Sequence, residues 1–356
     1  MKQYTACLIG TGRIGFSLGF DKKREQPASH TMALLKEKRI RLVAGCDTDK
    51  EKLEAWGRYV KRYVPGARTF SDADSMLSEI KTDIIVIAVN EDAHLEAAIK
   101  AINAKPKLVI LEKPVALNSE NGNRIKEEAK KCGVPVMINH ERRFAEDYRI
   151  AKDYIPKIGK MQAIKATLFS GMRVYSAKNE DDGGYSLLHD GTHLVDIVQF
   201  FLEPLPVLGK SEEHCVLQSP VITGVHYDEK EPEVIRNLSA HFSHPDCSHI
   251  TMEFSGRSRY FGFEVEITGT EGRIKIGNGF AECQKREESK LYTGFYSLTK
   301  DKSVKFPKKT GYFANMVSGA CDFLDGTAPL YSSLENGLNV LHTLEEIKNA
   351  VLSLKN

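Results

Sequence analysis

Apolar and polar positions change rhythm partway along the chain. In the first 140 residues, short runs that are apolar at nearly every position alternate with longer amphipathic stretches. The apolar runs fall at 5–9, 40–46, 83–89, 107–111 and 134–138, and helical periodicity falls at 50–61, 72–79, 92–103 and 118–132. Strands without polar alternation are buried on both faces, so this order predicts an α/β Rossmann domain, a doubly wound parallel sheet with helices on each side. After about residue 160 the pattern is different. Strands predicted at 161–169, 234–243, 248–255, 261–268, 272–276 and 280–286 follow one another across short turns such as His244-Pro245-Asp246 and Gly269-Thr270-Glu271-Gly272. That spacing predicts an α+β domain with an open, mainly antiparallel sheet. Helices at about 186–202 and 312–325 are expected to cover one face of it. A last helix, about 333–353, carries Leu334, Leu338, Leu341, Leu344, Ile347 and Val351 along one stripe. The expected organisation is therefore 1–140 and 141–356, with the last helix able to pack back on the first domain.

Composition narrows the partners. The chain has 356 residues, enough for two domains at roughly 150 residues each. Hydrophobic residues make up 41% and charged residues 28%, the balance of a globular protein. A net charge of +2 supplies no basic field to attract nucleic acid or an anionic membrane, so neither is an expected partner. The first apolar run is a few residues long and ends in a glycine turn, too short for a signal peptide or a membrane span. Seven cysteines are scattered without a CxxC pair. Free thiols in the cytoplasm fit this better than a disulfide framework or a zinc site.

The turn itself carries the first chemistry. Gly10-Thr11-Gly12-Arg13-Ile14-Gly15 follows the first strand directly and is expected to open a helix. GxGxxG alone is a weak motif, but a buried strand before it and a helix start after it supply the context it requires. Gly10 permits a tight turn, Gly12 lets the backbone approach a pyrophosphate, Gly15 allows close helix–strand packing, and the helix N-terminus favours negative charge. An acidic residue should end the second strand to bind ribose hydroxyls, and Asp47 stands there, 32 residues after Gly15 against the usual ~20. The excess is expected in 17–30, a charged run with a proline that reads as an inserted loop. A carboxylate at Asp47 would repel a 2′-phosphate, which favours NAD over NADP. Lys50 and Lys52 read as solvated helix residues that soften this only weakly.

Three further pieces complete a pattern: Val89-Asn90-Glu91-Asp92-Ala93-His94 after the third strand, Glu112-Lys113-Pro114 after the fourth, and Gly183-Gly184-Tyr185-Ser186-Leu187-Leu188-His189-Asp190-Gly191-Thr192-His193-Leu194-Val195-Asp196 opening a helix in the second domain. With the glycine turn, and with Arg142-Arg143-Phe144, Gly159-Lys160-Met161 and the Gly269 turn, the chain resembles the glucose–fructose oxidoreductase/inositol dehydrogenase (Gfo/Idh/MocA) family over nearly its whole length. The resemblance implies NAD held by Gly10, Gly12, Arg13, Ile14, Gly15 and Asp47. Ala88, Asn90, His94, Glu112 and Lys113 would line the nicotinamide side. It implies a polyhydroxy substrate such as a sugar, cyclitol, sugar acid or nucleotide sugar, and a homo-oligomer, dimer or tetramer, built through the C-terminal sheet.

Oxidising a secondary alcohol needs a hydride acceptor and a proton acceptor at one carbon. Lys113 stands at the carboxyl end of a central strand, where such folds bind ligands; the resemblance makes it a contact of the reacting hydroxyl, against a surface lysine paired with Glu112. His193 is the expected general base, since imidazole titrates near neutrality; the competing assignment is a core histidine. Many family members carry Asp four residues before this histidine, where this chain has His189. Two readings stay open: His189 takes the carboxylate's place as a substrate contact, or Asp190 turns in to polarise His193, a role also within reach of Asp196. Two histidines without an identifiable third ligand do not make a metal site. Arg143 is a substrate anchor, a support of the cofactor pocket or a structural ion pair, and Arg173, Tyr175 and Asn179 are candidate substrate contacts. The rival functions are an NAD-dependent glycoside hydrolase working by transient oxidation and a dinucleotide-binding protein without catalysis. The two would differ from a dehydrogenase in giving no net NADH.

Overall fold

The computed structural model describes residues 2–169, 186–210, 214–230, 232 and 234–354. The elements run β1 (Tyr4–Ile9), α1 (His30–Lys36), β2 (Ile40–Cys46), α2 (Lys50–Val60), β3 (Arg68–Phe70), α3 (Ala73–Glu79), β4 (Ile84–Ile87), α4 (His94–Asn103), β5 (Leu108–Glu112), α5 (Ser119–Cys132) and β6 (Val136–Asn139). There follow α6 (Glu146–Tyr154), β7 (Met161–Phe169), α7 (Ser186–Leu202), β8 (Val221–Tyr227), β9 (Ile235–His244), β10 (Cys247–Ser255), β11 (Gly262–Gly269), β12 (Gly272–Gly277), β13 (Phe280–Glu288), β14 (Tyr296–Lys300), α8 (Tyr312–Leu324) and α9 (Leu334–Ser353). Two units emerge. The first is Met1–Ala145 with Leu205–Glu213 and Lys309–Leu338; the second is Glu146–Pro204 with His214–Lys308 and Asn339–Asn356.

The first unit is built on a parallel sheet in the order β3-β2-β1-β4-β5-β6. Its central strands are buried along their whole length, Ile84–Ile87 and Leu108–Leu111 among them, because helices cover both faces. Four of those helices start on side-chain caps: Ser29, Asp49, Asp72 and Asn118 accept from backbone N–H groups of α1, α2, α3 and α5. Gly133, in the left-handed region at φ 66°, ends α5. The helix expected at 312–325 belongs here and does not cover the antiparallel sheet. Phe313, Met316, Val317 and Ala320 of α8 join Leu34 and Phe144 in this unit's core. Arg39 binds Asp322 at 2.6 Å and the Ser318 carbonyl at 3.2 Å. The apolar stripe of α8 fits either layer, so periodicity could not choose between them.

The helix expected directly after the glycine turn is interrupted. Phe16 N donates to Gly12 O at 2.9 Å, one helical step, but Leu18 N reaches Arg13 O, and the chain leaves as a 3-10 turn, Ser17–Phe20. It returns at His30, whose N donates to Ile14 O at 3.1 Å, and Thr31 N donates to Gly15 O at 2.9 Å. These donors stand sixteen residues after their acceptors, where an α-helix uses four. Twelve residues are thus looped out of one helical path, the same number by which the Gly15–Asp47 spacing exceeds ~20. The loop is tied down by Glu25, which accepts from Thr310 N, Thr310 Oγ1 and Gly311 N at 2.7, 3.1 and 2.6 Å.

The second unit has eight strands in the order β14-β13-β12-β11-β7-β10-β9-β8. All neighbours are antiparallel except β7 and β10. Its strands alternate: Leu238, Ala240 and Phe242 on β9 and Ile250, Met252 and Phe254 on β10 are buried while their neighbours are less so. Helix α7 packs on β7, β9 and β10, and α6 on β12 and β13. Helix α9 begins in the first unit, where Val115 and Ile138 close around Gly337, and continues in the second from Asn339. The C-terminal end of α7 is closed by Lys152 of α6. Its buried Nζ donates to the carbonyls of Phe201, at 2.9 Å, and Glu203, and lies over the Phe200 ring.

Lys152→Met keeps the aliphatic stem but leaves both carbonyls without this donor. Thermal and denaturant unfolding should show a loss of about 1–3 kcal/mol. A loss below about 0.5 kcal/mol would mean the carbonyls find other donors.

Candidate active site

The glycine turn opens a cleft at the carboxyl ends of β1, β2 and β4, where the sheet order reverses between β1 and β4. Its volume is about 470 Å³, and Gly10, Gly12, Asp47, Ala88 and Asn90 line it. Each glycine has a different reason to be there. Gly10 sits at φ +94°, and a Cβ on it would come within 2.5 Å of Ala88 O, so the backbones of β1 and β4 meet closely only without a side chain. A Cβ on Gly15 would meet Gly10 O at 2.1 Å, so this glycine closes the turn on itself. A Cβ on Gly12 would meet nothing within 4 Å and would stand in the cleft. This is the cradle a dinucleotide pyrophosphate requires, with backbone and not side chain at the wall. Arg13 is exposed and Ile14 half-buried beside it.

Asp47 is held in place before any ligand arrives. One carboxylate oxygen accepts from Thr11 N at 2.7 Å and Thr11 Oγ1 at 3.1 Å, and the other from Asp49 N at 2.9 Å. Asp49 and Asp72 line the same cleft. The lysines there are engaged: Lys52 with Asp49 at 2.8 Å, and Lys100 with Asp74 and Glu96, both at 2.7 Å. Hydrogen bonds from Lys52 hold the Asp49 carboxyl below its ordinary range.

The Glu112-Lys113-Pro114 segment ends β5 with both neighbours of the lysine pinned. Glu112 is 6% exposed, and its Oε1 accepts from His30 Nε2 and Asn139 Nδ2, each at 2.6 Å. Sheet register makes the second contact, since Glu112 and Asn139 are direct neighbours on β5 and β6. Burial pushes the Glu112 carboxyl up, but His30, Asn139 and the charge of Lys113 outweigh it and hold it below its ordinary value. On the other side, His94 is fully buried, with Nδ1 2.6 Å from Pro114 O and Nε2 3.3 Å from Val89 O. Burial holds this imidazole below its ordinary value, so it is neutral near pH 7 with its proton on the short contact to Pro114. His94 thus anchors the backbone here and lies outside the cleft lining. Lys113 is half-buried. Sequence reasoning named neither His30 nor Asn139. The first ends a run that reads as loop and the second ends a strand, and no spacing links either to Glu112.

In the second unit, His189 and His193 stand one turn apart on α7, both half-buried, and Asp196 is buried. Asp190 lines a small cavity of about 40 Å³ with Leu168, Arg236, Asn237, Phe254 and Ser255, on the side of α7 that meets β7, β9 and β10. Arg143 is buried in the turn Glu141–Phe144 of the first unit. Arg173, Tyr175 and Asn179, and the glycines 183 and 184, lie outside the described residues. Among the described residues no group of three or more His, Cys, Asp or Glu is arranged to hold a metal, and no helix is long and apolar enough to cross a membrane.

The three glycines should separate on substitution. Gly12→Ala is expected to keep the unfolding midpoint within about 1 kcal/mol of the parent while weakening dinucleotide binding, because its Cβ fills only the cleft. Gly10→Ala should unfold far more readily, because it is strained and meets backbone. Calorimetric binding and thermal unfolding of the two variants check this; equal instability in both would remove the distinction.

The comparisons agree with this geometry. Residues 5–140 match the model of the Gfo/Idh/MocA oxidoreductase family, described as an NAD-binding Rossmann fold. The chain is similar to a 1-carboxy-3-chloro-3,4-dihydroxycyclohexa-1,5-diene dehydrogenase of Comamonas testosteroni, 26% identical over 175 residues, 48% of this chain and 43% of the relative. It is similar to inositol 2-dehydrogenase of Salmonella typhimurium, 24% identical over 166 residues, 46% of this chain and 47% of the relative. These alignments therefore span about half of each relative's length. Among solved structures, the WlbA dehydrogenase of Bordetella pertussis, in complex with NADH and UDP-GlcNAcA, superposes with a TM-score of 0.71 at 17% identity, covering 99% of this chain and 96% of that one, which shows a shared fold. The parallel sheet and the glycine cradle thus accompany a match of residues 5–140 to the NAD-binding Rossmann fold of the Gfo/Idh/MocA oxidoreductase family.

Proposed function

We propose that the chain is an NAD-dependent dehydrogenase that exchanges a hydride with a secondary alcohol of a polyhydroxylated small molecule: a sugar, cyclitol, sugar acid or nucleotide sugar. The observation that carries this reading is the cleft where Gly12 leaves bare backbone beside a pre-set Asp47 carboxylate. The relatives support the substrate class, since one is named for inositol and one for a ring diol, and the similar solved structure holds a nucleotide sugar acid.

When bound, NAD supplies the hydride acceptor. The backbone at Gly12 takes the pyrophosphate, and Asp47 accepts hydrogen bonds from the adenosine ribose hydroxyls. Asp47, Asp49 and Asp72 make that end of the cleft acidic, and Lys52 and Lys100 are committed to carboxylates, an environment that favours a ribose hydroxyl over a 2′-phosphate. Lys113 donates a hydrogen bond to the reacting oxygen and steadies it as it becomes a carbonyl. The hydroxyl proton passes to the imidazole of His193. His189 takes the place of the family's more usual carboxylate as a hydrogen-bonding contact to a neighbouring hydroxyl. Self-association through the second unit's sheet is supported by Tyr292, Phe295 and Tyr296, exposed aromatic residues around β13 and β14.

The direct test is incubation with NAD and a panel of sugars, cyclitols and sugar acids, read at the NADH absorbance band. Substrate consumption without net NADH would replace net oxidation with transient oxidation. His193→Ala should lower turnover by about 10²–10⁴ with NAD affinity nearly unchanged; unchanged turnover would remove the histidine from the mechanism. Asp47→Ala should weaken NAD more than NADP, and equal losses for both would refute the ribose assignment.

A further inference from the structure

The small cavity of the second unit is built around an arginine. Sheet register sets Leu168 of β7, Phe254 of β10 and Leu238 of β9 side by side, and they floor the cavity on the face that α7 covers. Arg236 stands two residues before Leu238, so strand alternation puts its side chain on the same face. Two glycines keep the space open. Gly191 gives α7 no side chain there, in a helix interior where only proline is less favourable than glycine. A Cβ at Gly256 would press on Arg236 Nη1 at 3.2 Å, so the guanidinium is seated on bare backbone. About 40 Å³ remains, with Asp190 and Ser255 at its wall. The arginine is paired on one edge. Its side chain is 16% exposed, and its Nε lies 3.3 Å from Asp228 Oδ2. Among the described residues neither Nη group has a hydrogen-bond partner. Interiors are ordinarily packed without voids. A void faced by guanidinium donors suits an oxygen ligand that takes the place of water there.

Charge and size decide which oxygen. Among the described residues here, Asp190 and Asp228 outnumber the one arginine, so a ligand carboxylate or phosphate would meet repulsion as well as attraction. A hydroxyl fits both signs, because it accepts from an Nη and donates to the Asp190 carboxylate. The space holds roughly three water-sized groups, enough for a carbon edge with its hydroxyls and too little for a whole ring or a nucleotide. Asp190 stands three residues before His193 on α7, about 4.5 Å along the axis, a separation that one sugar or cyclitol ring spans. We infer that Arg236 is a specificity-determining residue: with Asp190 it binds an uncharged, hydroxyl-bearing edge of the substrate ring. This rests on the reading of His193 as the proton acceptor for that ring. It narrows the substrate to polyols that are neutral along this edge.

Binding tests this without turnover. The NAD-loaded full chain is titrated by calorimetry with myo-inositol, D-glucose, D-galactose, D-mannose and D-glucuronate, and with monodeoxy analogues of each neutral polyol that binds. In the parent, loss of one particular hydroxyl should weaken binding about tenfold to hundredfold, the worth of a hydrogen bond to a charged group. Arg236→Met keeps the aliphatic stem and loses the donors. It should bind the intact polyol weaker by that factor, and the same deoxygenation should then change affinity by less than about twofold. An equal loss for the polyol and all its deoxy analogues would make Arg236 a structural residue only and overturn the inference. Binding of none of the neutral polyols, or a preference for D-glucuronate over D-glucose that Arg236→Met abolishes, would also overturn it. Should Arg236→Met fail to fold, Arg236→Lys decides: its ammonium keeps a cation for Asp228 without the planar fork, and an undiminished cost of deoxygenation there overturns the inference. His193→Ala separates the two levels, since polyol affinity should persist in it. If its turnover is unchanged as well, the role of the histidine in the reaction falls while the binding result for Arg236 stands.

Discussion

A carboxylate sealed at the end of a central parallel strand must be paired, and most of what surrounds Glu112 follows from that requirement. An unpaired buried charge costs several kcal/mol, comparable to the whole stability margin of a domain. The pairing draws in His30 from the start of α1 and Asn139 from the end of β6, segments more than eighty residues apart in sequence, to one oxygen atom. It also limits the looped-out segment: the chain has to rejoin at His30 in helical register, where the Ile14 and Gly15 carbonyls wait for the His30 and Thr31 N–H groups. Twelve residues can be accommodated there because both ends of the excursion are fixed by backbone hydrogen bonds to the turn Gly12–Gly15.

Hydrophobic rhythm made the parallel sheet legible, since strands buried on two faces carry near-continuous apolar runs with sharp ends. It recovered β2, β7 and α7 to the residue, and the other long elements within a few residues. What it missed has a common cause. β3 is three residues long, and β8 and β14 are edge strands with few buried positions, so they present no apolar run to find. α6 is short and strongly charged. α8 was seen as a helix but assigned to the wrong layer, because a stripe of apolar residues says that a helix is buried on one side and nothing about which partner covers it.

The site was legible where chemistry is local. The roles of Gly10, Gly12 and Gly15 depend on backbone geometry within a few residues, and Asp47 on its place at a strand end. The pairings of His30 with Glu112, of His94 with Pro114, and of Glu25 with the start of α8 are long-range and leave no periodic trace. The 32-residue spacing from Gly15 to Asp47 did carry information: its excess over the usual value equals the number of residues the hydrogen-bond register shows to be looped out. Arg173 and Tyr175 fall outside the described residues, so the substrate side gained less.

On the helix that carries the candidate base, His189 and Asp190 both stand within about one turn of His193. At 3.6 residues per turn, position 189 lies about 40° and position 190 about 60° around α7 from position 193, and Asp190 also lines a cavity among the strands that α7 covers. The residue at position 189 is an imidazole. An imidazole both donates and accepts, while a carboxylate accepts only. An imidazole at this position can therefore meet a hydroxyl in either direction, whichever of its two nitrogens carries the proton.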